Sequence, residues 1–431
     1  MSEQKFNNIS IPIDNIELFP SFRTSLKSRI FKVDDLLRRV NEKAYEPVML
    51  AIGPYHHGKE NLIMMKEHKS RYLQELLNRR NEPSGEIFLR KLRAKLKTLE
   101  ERVRRCYAED IKPNQDELVE MMLLDGCFII ELFRKFNMKE LVIEDDPIFK
   151  MDRMIYILQR DLLLFENQLP FFILVELFDM TKLPDDEMDI VHMALSFISL
   201  PYSCLRTDLS SDNVDHLLDL VHQSLTPPLD MVSYENDPYY LRYKGQFIGC
   251  TIKLQREGVL FEKAGDNVSL FNIRFEDGVM KIPPLMVDVQ TECLFRNLIA
   301  HEQYHQNLHE KYVTDYATLM DCLVDTEKDA EQLCNYKVLE NRLASDEAMS
   351  DMFNKLCSSV TINPKSFCYS GIFKKVNDYC TSPSGKRAWR SYKGELWYHL
   401  RNPMTLLNLQ ISIMTLLFAV IQIIVPLCIK K

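Results

Sequence analysis

Apolar and polar positions alternate with a helical period along most of this chain, and two stretches stand out. Asp116 to Phe136, DELVEMMLLDGCFIIELFRKF, is apolar on nearly every side. Such a pattern predicts a helix enclosed by other helices, with Leu124, Phe128 and Ile129 buried. Asp116 and Glu117 suit the positive N-terminal end of that helix, and Arg134 and Lys135 its negative C-terminal end. Asp125 is the odd residue. An acid among Met, Leu, Cys and Phe needs a partner, and a bond to a neighbouring helix is the expectation.

The second stretch, Met154 to Phe178, is interrupted by Glu166, Asn167 and Gln168 before Pro170. Two helices meeting at a corner fit this pattern, with Asn167 suited to cap the second. Arg160, Asp161, Glu166 and Glu176 argue against a membrane span there, because each charge is costly at depth. Pro227 to Gly245 has loop composition. Short alternating runs from about 258 to 285, punctuated by Glu276-Asp277-Gly278, predict a small antiparallel β unit. Helical spacing resumes at Thr291 and holds to about Leu356. The expected fold class is therefore mainly α: a multi-helix body with one small antiparallel β unit and a C-terminal transmembrane helix.

That last helix is predicted from Met404 to Ile429, MTLLNLQISIMTLLFAVIQIIVPLCI, which contains no charged side chain. At a rise of about 1.5 Å per residue the run is roughly 39 Å long, enough to cross a hydrocarbon core of about 30 Å. The expected organisation is a body over 1–402 with the length for two lobes, a transmembrane helix over 403–429 and a short tail at 430–431. Lys386, Arg387, Arg390, Lys393 and Arg401 precede the span, against Lys430 and Lys431 after it. The more basic flank favours the cytoplasmic side. The first residues, MSEQKFNNISIPIDNIELF, show no apolar segment of signal-peptide type. A single-pass, C-terminally anchored membrane protein with a cytosolic body is expected. The Asn8 and Asn267 sequons would carry glycans only if the body were translocated.

Composition changes this picture little. Glycine is scarce, 12 of 431, which favours helices over turn-rich β architecture. The net charge is −8 and the basic residues are interleaved with acids, so no nucleic-acid partner is expected. The basic run from Arg90 to Arg105 is interrupted by Glu100 and Glu101 and reads as a solvated helix face. Eleven cysteines are spread from Cys106 to Cys428 without a CxxC pair, a pattern of reduced thiols acting as small hydrophobes. Cys428, at the end of the span, could be S-acylated, but lipid-facing packing is the simpler reading.

The sharpest chemical pattern is HEQYH, His301 to His305. On a helix His301 and His305 could ligate zinc while Glu302 activates a metal-bound water, as in zincin peptidases. His309 continues the same face, but no turning glycine follows to supply the extended peptidase pattern. A pair of surface histidines on a polar helix accounts for the same residues. Gly53-Pro-Tyr-His-His-Gly-Lys59 lacks the order of a phosphate-binding loop and reads as a tight turn, and no GxSxG, GxGxxG, HRD or DFG motif occurs.

The segment IFKVDDLLRRVNEKAYEPVMLAIGPYHHGKENLIMMKEHKSRYL, Ile30 to Leu73, resembles the N-terminal signature of the plant domain of unknown function 247 family, also called UPF0481. The resemblance continues in order through VEMMLLDGCFIIELFRK, RDLLLFENQLPFFIL, HLLDLVHQSL, FEDGVMKIPPLMVD, RNLIAHEQ, VTDYATLMDCLVDT and VNDYC, and so covers nearly the whole chain. Two positions depart from the pattern. His301 stands where an apolar residue is common, and Met404 follows Asn402-Pro403 where tryptophan is frequent. The resemblance implies a helical body, a C-terminal membrane helix, and no established activity or cofactor. Some relatives are linked to pollen recognition or defence. An interaction or signalling module with a protein partner, held at the lipid bilayer, is the expected function, with no catalytic residue, metal or cofactor. The competing expectation is a membrane-anchored zinc hydrolase using His301, Glu302 and His305.

Overall fold

The computed structural model describes residues 29–79, 85–184, 186–200, 206–226, 247–265, 268–305, 311–362, 366–382, 411–412 and 414–415. The chain enters through a short helix, α1 (Asp35–Arg38), started by Asp34, whose carboxylate accepts from the amides of Leu36 and Leu37. Two longer amphipathic helices follow, α2 (Met65–Arg79) and α3 (Gly85–Arg104). α3 buries Phe88, Leu92, Leu96 and Val103 along one stripe. Its other face is charged, with exposed pairs such as Lys97 to Asp116 at 2.7 Å, so the basic run is a solvated face as expected.

The centre is α4 (Gln115–Asn137). Asn114 and Glu117 start it with a capping box, each side chain accepting the other's backbone N–H. Phe128, Ile129, Ile130 and Phe133 are fully enclosed, whereas Leu124 is only half-buried. α2 and α3 pack on it from earlier in the chain, and α7 (Phe171–Thr181) and α8 (Ile190–Ile198) from later. The Tyr72 ring lies 5.2 Å from Phe128, and Phe133 lies 5.2 Å from Phe197. At Gly126 a Cβ would lie 2.4 Å from Leu177 Cδ1, so the glycine lets α7 approach closely. Asp125 has the expected partners, Lys69 Nζ and the amide of Gly53.

Arg134 and Lys135 do more than complement the helix dipole, for both are completely buried. Arg134 pairs with Asp186 at 2.8 Å and Glu131 at 3.1 Å; Lys135 pairs with Asp146 and Glu75, each at 2.6 Å. Buried charges require such close partners to offset desolvation.

After α5 (Pro147–Lys150), α6 (Asp152–Asp161) and α7 meet at the expected corner. Asn167 does not cap α7. Its Oδ1 accepts from the Ile52 amide at 2.7 Å, and its Nδ2 donates to the carbonyls of Leu50 and Asp161, both at 2.8 Å. Pro170 occupies the cap position instead, and the amide of Phe171 donates to the carbonyl of Asp215. The corner is thus built to hold the segment near Leu50. Asp161 completes the clamp by accepting the amides of Val48, Met49 and Leu50 at 2.7 to 3.1 Å.

The chain continues through α9 (Leu217–Leu225) and α10 (Thr251–Arg256) into β1 (Leu260–Lys263), β2 (Arg274–Glu276) and β3 (Val279–Ile282). The β unit is mixed rather than antiparallel. β2 and β3 form the expected hairpin about Asp277 and Gly278, both at positive φ, but β1 joins the other edge of β3 in parallel, Leu260 opposite Val279. A tight turn dictates antiparallel pairing only for the strands it joins, and β1 is separated from β2 by ten residues. β4 (Leu285–Val287) pairs in parallel with β5 (Leu339–Asn341), a strand the helical spacing concealed. The remaining helices are α11 (Val289–Tyr304), α12 (Tyr312–Leu323), α13 (Glu327–Asn335), α14 (Asp346–Leu356) and α15 (Ser370–Thr381).

Buried apolar residues from Ile30 to Cys380 form one continuous cluster. The described cysteines are free thiols, and burial pushes Cys127 up to about 12. Among the described residues no helix is long and apolar enough to cross a membrane. The expected span at 403–429 lies outside the described residues except for helical positions 411, 412, 414 and 415. The expected loop at 227–245 and both sequon asparagines lie outside the described residues.

Truncating the enclosed ring in Phe128→Ala should cost about 3 to 5 kcal/mol. Lys97→Ala, on the solvated face of α3, should cost less than about 0.5 kcal/mol. Thermal melts of the two variants check this; equal melting would remove α4 from the core.

Candidate functional site

The chemically richest place in the body lies where α9 meets the end of α11. His216 caps α9: its Nδ1 accepts the Asp219 amide at 3.1 Å, leaving the ring proton on Nε2. Asp219 reaches back to accept the Asp215 amide at 2.8 Å and also accepts from Gln223 Nε2 at 2.7 Å. One turn further, His222 faces α11. There the last turn presents His301 and Glu302, with His301 Nε2 3.2 Å from Asp219 Oδ1 and His222 Nε2 2.8 Å from Glu302 Oε1.

These groups are not at the surface. His216 and Glu302 are 0% exposed and His301 1%, which overturns the expectation of surface histidines on a polar helix. His301 and Glu302 are buried because each meets a partner of opposite character on α9, Asp219 and His222. Glu302 is the most heavily engaged. Besides His222, it accepts the amides of Val313 at 2.9 Å and Thr314 at 2.8 Å and the Thr314 hydroxyl at 2.6 Å. Its carboxylate therefore supplies the N-terminal cap that Lys311 does not provide to α12.

Electrostatics follow from this packing. Burial pulls His222 down, but the hydrogen bond and charge of Glu302, with Asp219 behind, leave it above the ordinary imidazole value. Burial holds His301 below that value, so at neutral pH it is uncharged and donates Nε2–H to Asp219. Burial also drives His216 down to about 3. Burial opposes ionisation of Asp219, yet its hydrogen bond from His301 and the nearby donors hold it below the usual carboxylate range. On α12, Asp315 is pushed up to about 7, by burial first and by the nearby Glu302 charge in addition.

The HEQYH residues do not assemble as a zincin helix. α11 ends at Tyr304, and the backbone of His305 is extended. His305 leads out of the helix, half-buried, with Nε2 3.4 Å from Asp215 Oδ2. Glu302, the residue that would activate water, is instead committed to His222 and the start of α12. His309 lies outside the described residues. Among the described residues, the three side chains whose ligand atoms do converge, within 4.8 Å of one another, are Asp219, His222 and His301. Asp219 and His222 were missed as site residues. Their i, i+3 spacing in HLLDLVHQSL was the available signal, for it places both on one helix face.

A second polar cluster surrounds the Gly53–Lys59 turn. Gly53 and Gly58 have φ of 69° and 81°, as a tight turn requires. A Cβ at Gly53 would also lie 2.5 Å from the Gln168 carbonyl oxygen. His56 is buried between Glu166 at 3.6 Å and Glu46 at 3.8 Å; Arg38 reaches both acids, and Lys59 pairs with Glu46. Burial first, then the Lys59 charge, lower His56 to about 4. These groups lock the turn onto the α6–α7 corner.

Comparison with known proteins agrees with the fold's continuity. Residues 30–418 match the family model DUF247, described as a plant protein of unknown function. The chain belongs to that family. It is 28% identical over 413 residues to the UPF0481 protein At3g47200 of Arabidopsis thaliana, covering 91% of this chain and 85% of that one. It is 22% identical over 444 residues to the putative UPF0481 protein At3g02645 of the same plant, covering 82% of each. No solved structure matches.

Removing the carboxylate in Glu302→Ala should destabilise the protein by about 3 to 5 kcal/mol, since it strands His222 and uncaps α12. His305→Ala should cost about 1 kcal/mol or less, as for a peripheral change. Denaturant titrations compare the two. Asp315 supplies a pH test. Its folded value lies above the unfolded one, so its burial costs nothing below the unfolded value near 3.8 and costs progressively more up to about pH 7. Asp315→Asn should therefore melt above the wild type at pH 8, with the gap narrowing toward pH 4; a gap that widens on acidification would contradict the assignment.

Proposed function

We propose that the protein is a membrane-anchored interaction module: a rigid helical body that presents an apolar surface to a protein partner. The observation that carries this reading is the contrast between engaged buried acids and exposed apolar side chains. Asp161, Asp125 and Glu302 all hold backbone amides from distant segments. Large apolar residues meanwhile stand in solvent on the N-terminal segments: Met64 is 81% exposed, Leu36 63%, Ile63 56% and Val48 55%. Those segments are tied together by Glu46, which pairs with Arg38 of α1 and with Lys59 just before Ile63. Exposed apolar groups mark an association surface where they gather into one patch, which is what the proposal requires of these four. Anchoring is supported by the uncharged run from Met404 to Ile429, and a cytosolic body by the basic residues that precede it.

Two measurements test this. Deleting 403–431 should release the protein from membranes, and carbonate-resistant association of the truncated chain would contradict the anchor. In plant cells, proximity labelling by the full-length protein should mark a set of neighbours that is lost in Leu36→Asp/Met64→Asp, while the variant melts within about 1 kcal/mol of wild type, as exposed substitutions do. An unchanged set of neighbours would contradict the surface.

A further inference from the structure

We propose that Asp219, His222 and His301 bind a divalent transition ion of the zinc class, joining α9 to α11. Their ligand atoms already lie within 4.8 Å of one another. The separation of His301 Nε2 from Asp219 Oδ1, 3.2 Å, is close to the edge of about 3.3 Å expected for a tetrahedron with metal–ligand bonds of about 2.0 Å. Two imidazoles and one carboxylate suit zinc and its neighbours, whereas calcium and magnesium favour all-oxygen sites.

The surroundings are arranged as a supporting shell. Glu302 holds His222 through Nε2 at 2.8 Å and is itself fixed by α12, the kind of carboxylate contact that orients metal-binding histidines. Asp219 is fixed by the Asp215 amide and Gln223. His216, fully buried, has its ring centroid 5.1 Å from that of His301, and its Nε2 has no hydrogen-bond partner among the described residues. The orphaned Nε2–H needs an acceptor, and an ion held by three protein ligands keeps a fourth position for a water whose oxygen can accept it. On binding, His301 takes its other neutral tautomer, and its Nε2–H bond to Asp219 gives way to two bonds to the ion. This ligand set differs from the HEQYH zinc arrangement, because it includes Asp219 and His222 and leaves out His305 and the Glu302 carboxylate.

The test uses the full-length protein in detergent, stripped with a chelator and titrated with Zn²⁺ and separately with Co²⁺. The expected result is one ion per chain, visible Co²⁺ absorption of a low-coordinate site, and a thermal midpoint that rises with bound metal. The variants Asp219→Asn and His222→Gln should each weaken binding by at least about 100-fold, while His305→Gln should bind as the wild type does. Wild-type protein that is folded by circular dichroism yet takes up no stoichiometric ion overturns the proposal, whatever the stability of the variants. Binding lost in His305→Gln but kept in His222→Gln overturns it as well, in favour of the HEQYH arrangement.

Discussion

The buried carboxylate that accepts backbone amides is the interaction on which this architecture depends. Long loops cannot be covered by protein unless their N–H groups find acceptors, because an unpaired buried amide costs free energy comparable to a lost hydrogen bond. Asp161 meets that requirement for Val48 to Leu50, Asp125 for Gly53, and Glu302 for the start of α12. Each acid sits on or beside a helix and reaches a segment with no regular partner. The helices thus act as a rack on which irregular segments are hung.

This arrangement links stability to chemistry. A carboxylate buried for structural reasons needs a compensating donor or cation, and the chain supplies Lys69 to Asp125, Arg160 to Asp161 and His222 to Glu302. At the last of these the partner is an imidazole, and a second imidazole and a second carboxylate lie alongside. A structural clamp and a ligand set for an ion then occupy the same few residues. In the proposed function the exposed residues around Leu36 and Met64 are kept in a fixed relation by Glu46, which pairs with Arg38 and with Lys59.

Much of the scaffold was legible in the amino-acid order. α4 could be recognised because an apolar run of that length, flanked by acids and then bases, has few alternatives. The α6–α7 corner was marked by its polar interruption and by Pro170. Sheet pairing was less legible: the turn at Asp277-Gly278 specifies β2 against β3, but nothing local says which edge β1 will take. The least legible feature was the burial of His301 and Glu302. Polar residues on a helix read as solvent-facing, and their true partners, Asp219 and His222, lie 82 and 80 residues earlier in the chain. For the same reason Asn167 read as a helix cap when its real task is to hold Leu50 and Ile52, more than a hundred residues away.

The bond between His222 and Glu302 joins α9 to α11 most directly. A double-mutant cycle with His222→Gln, Glu302→Gln and the combined variant, measured by denaturant unfolding of metal-free protein, isolates that bond from the other changes each substitution makes. A buried, charge-assisted pair should give a coupling energy of at least about 1 kcal/mol, within the range found for residues in direct contact. Additivity of the two substitutions to within about 0.3 kcal/mol would mean that His222 and Glu302 do not hold α9 and α11 together, and would contradict the account.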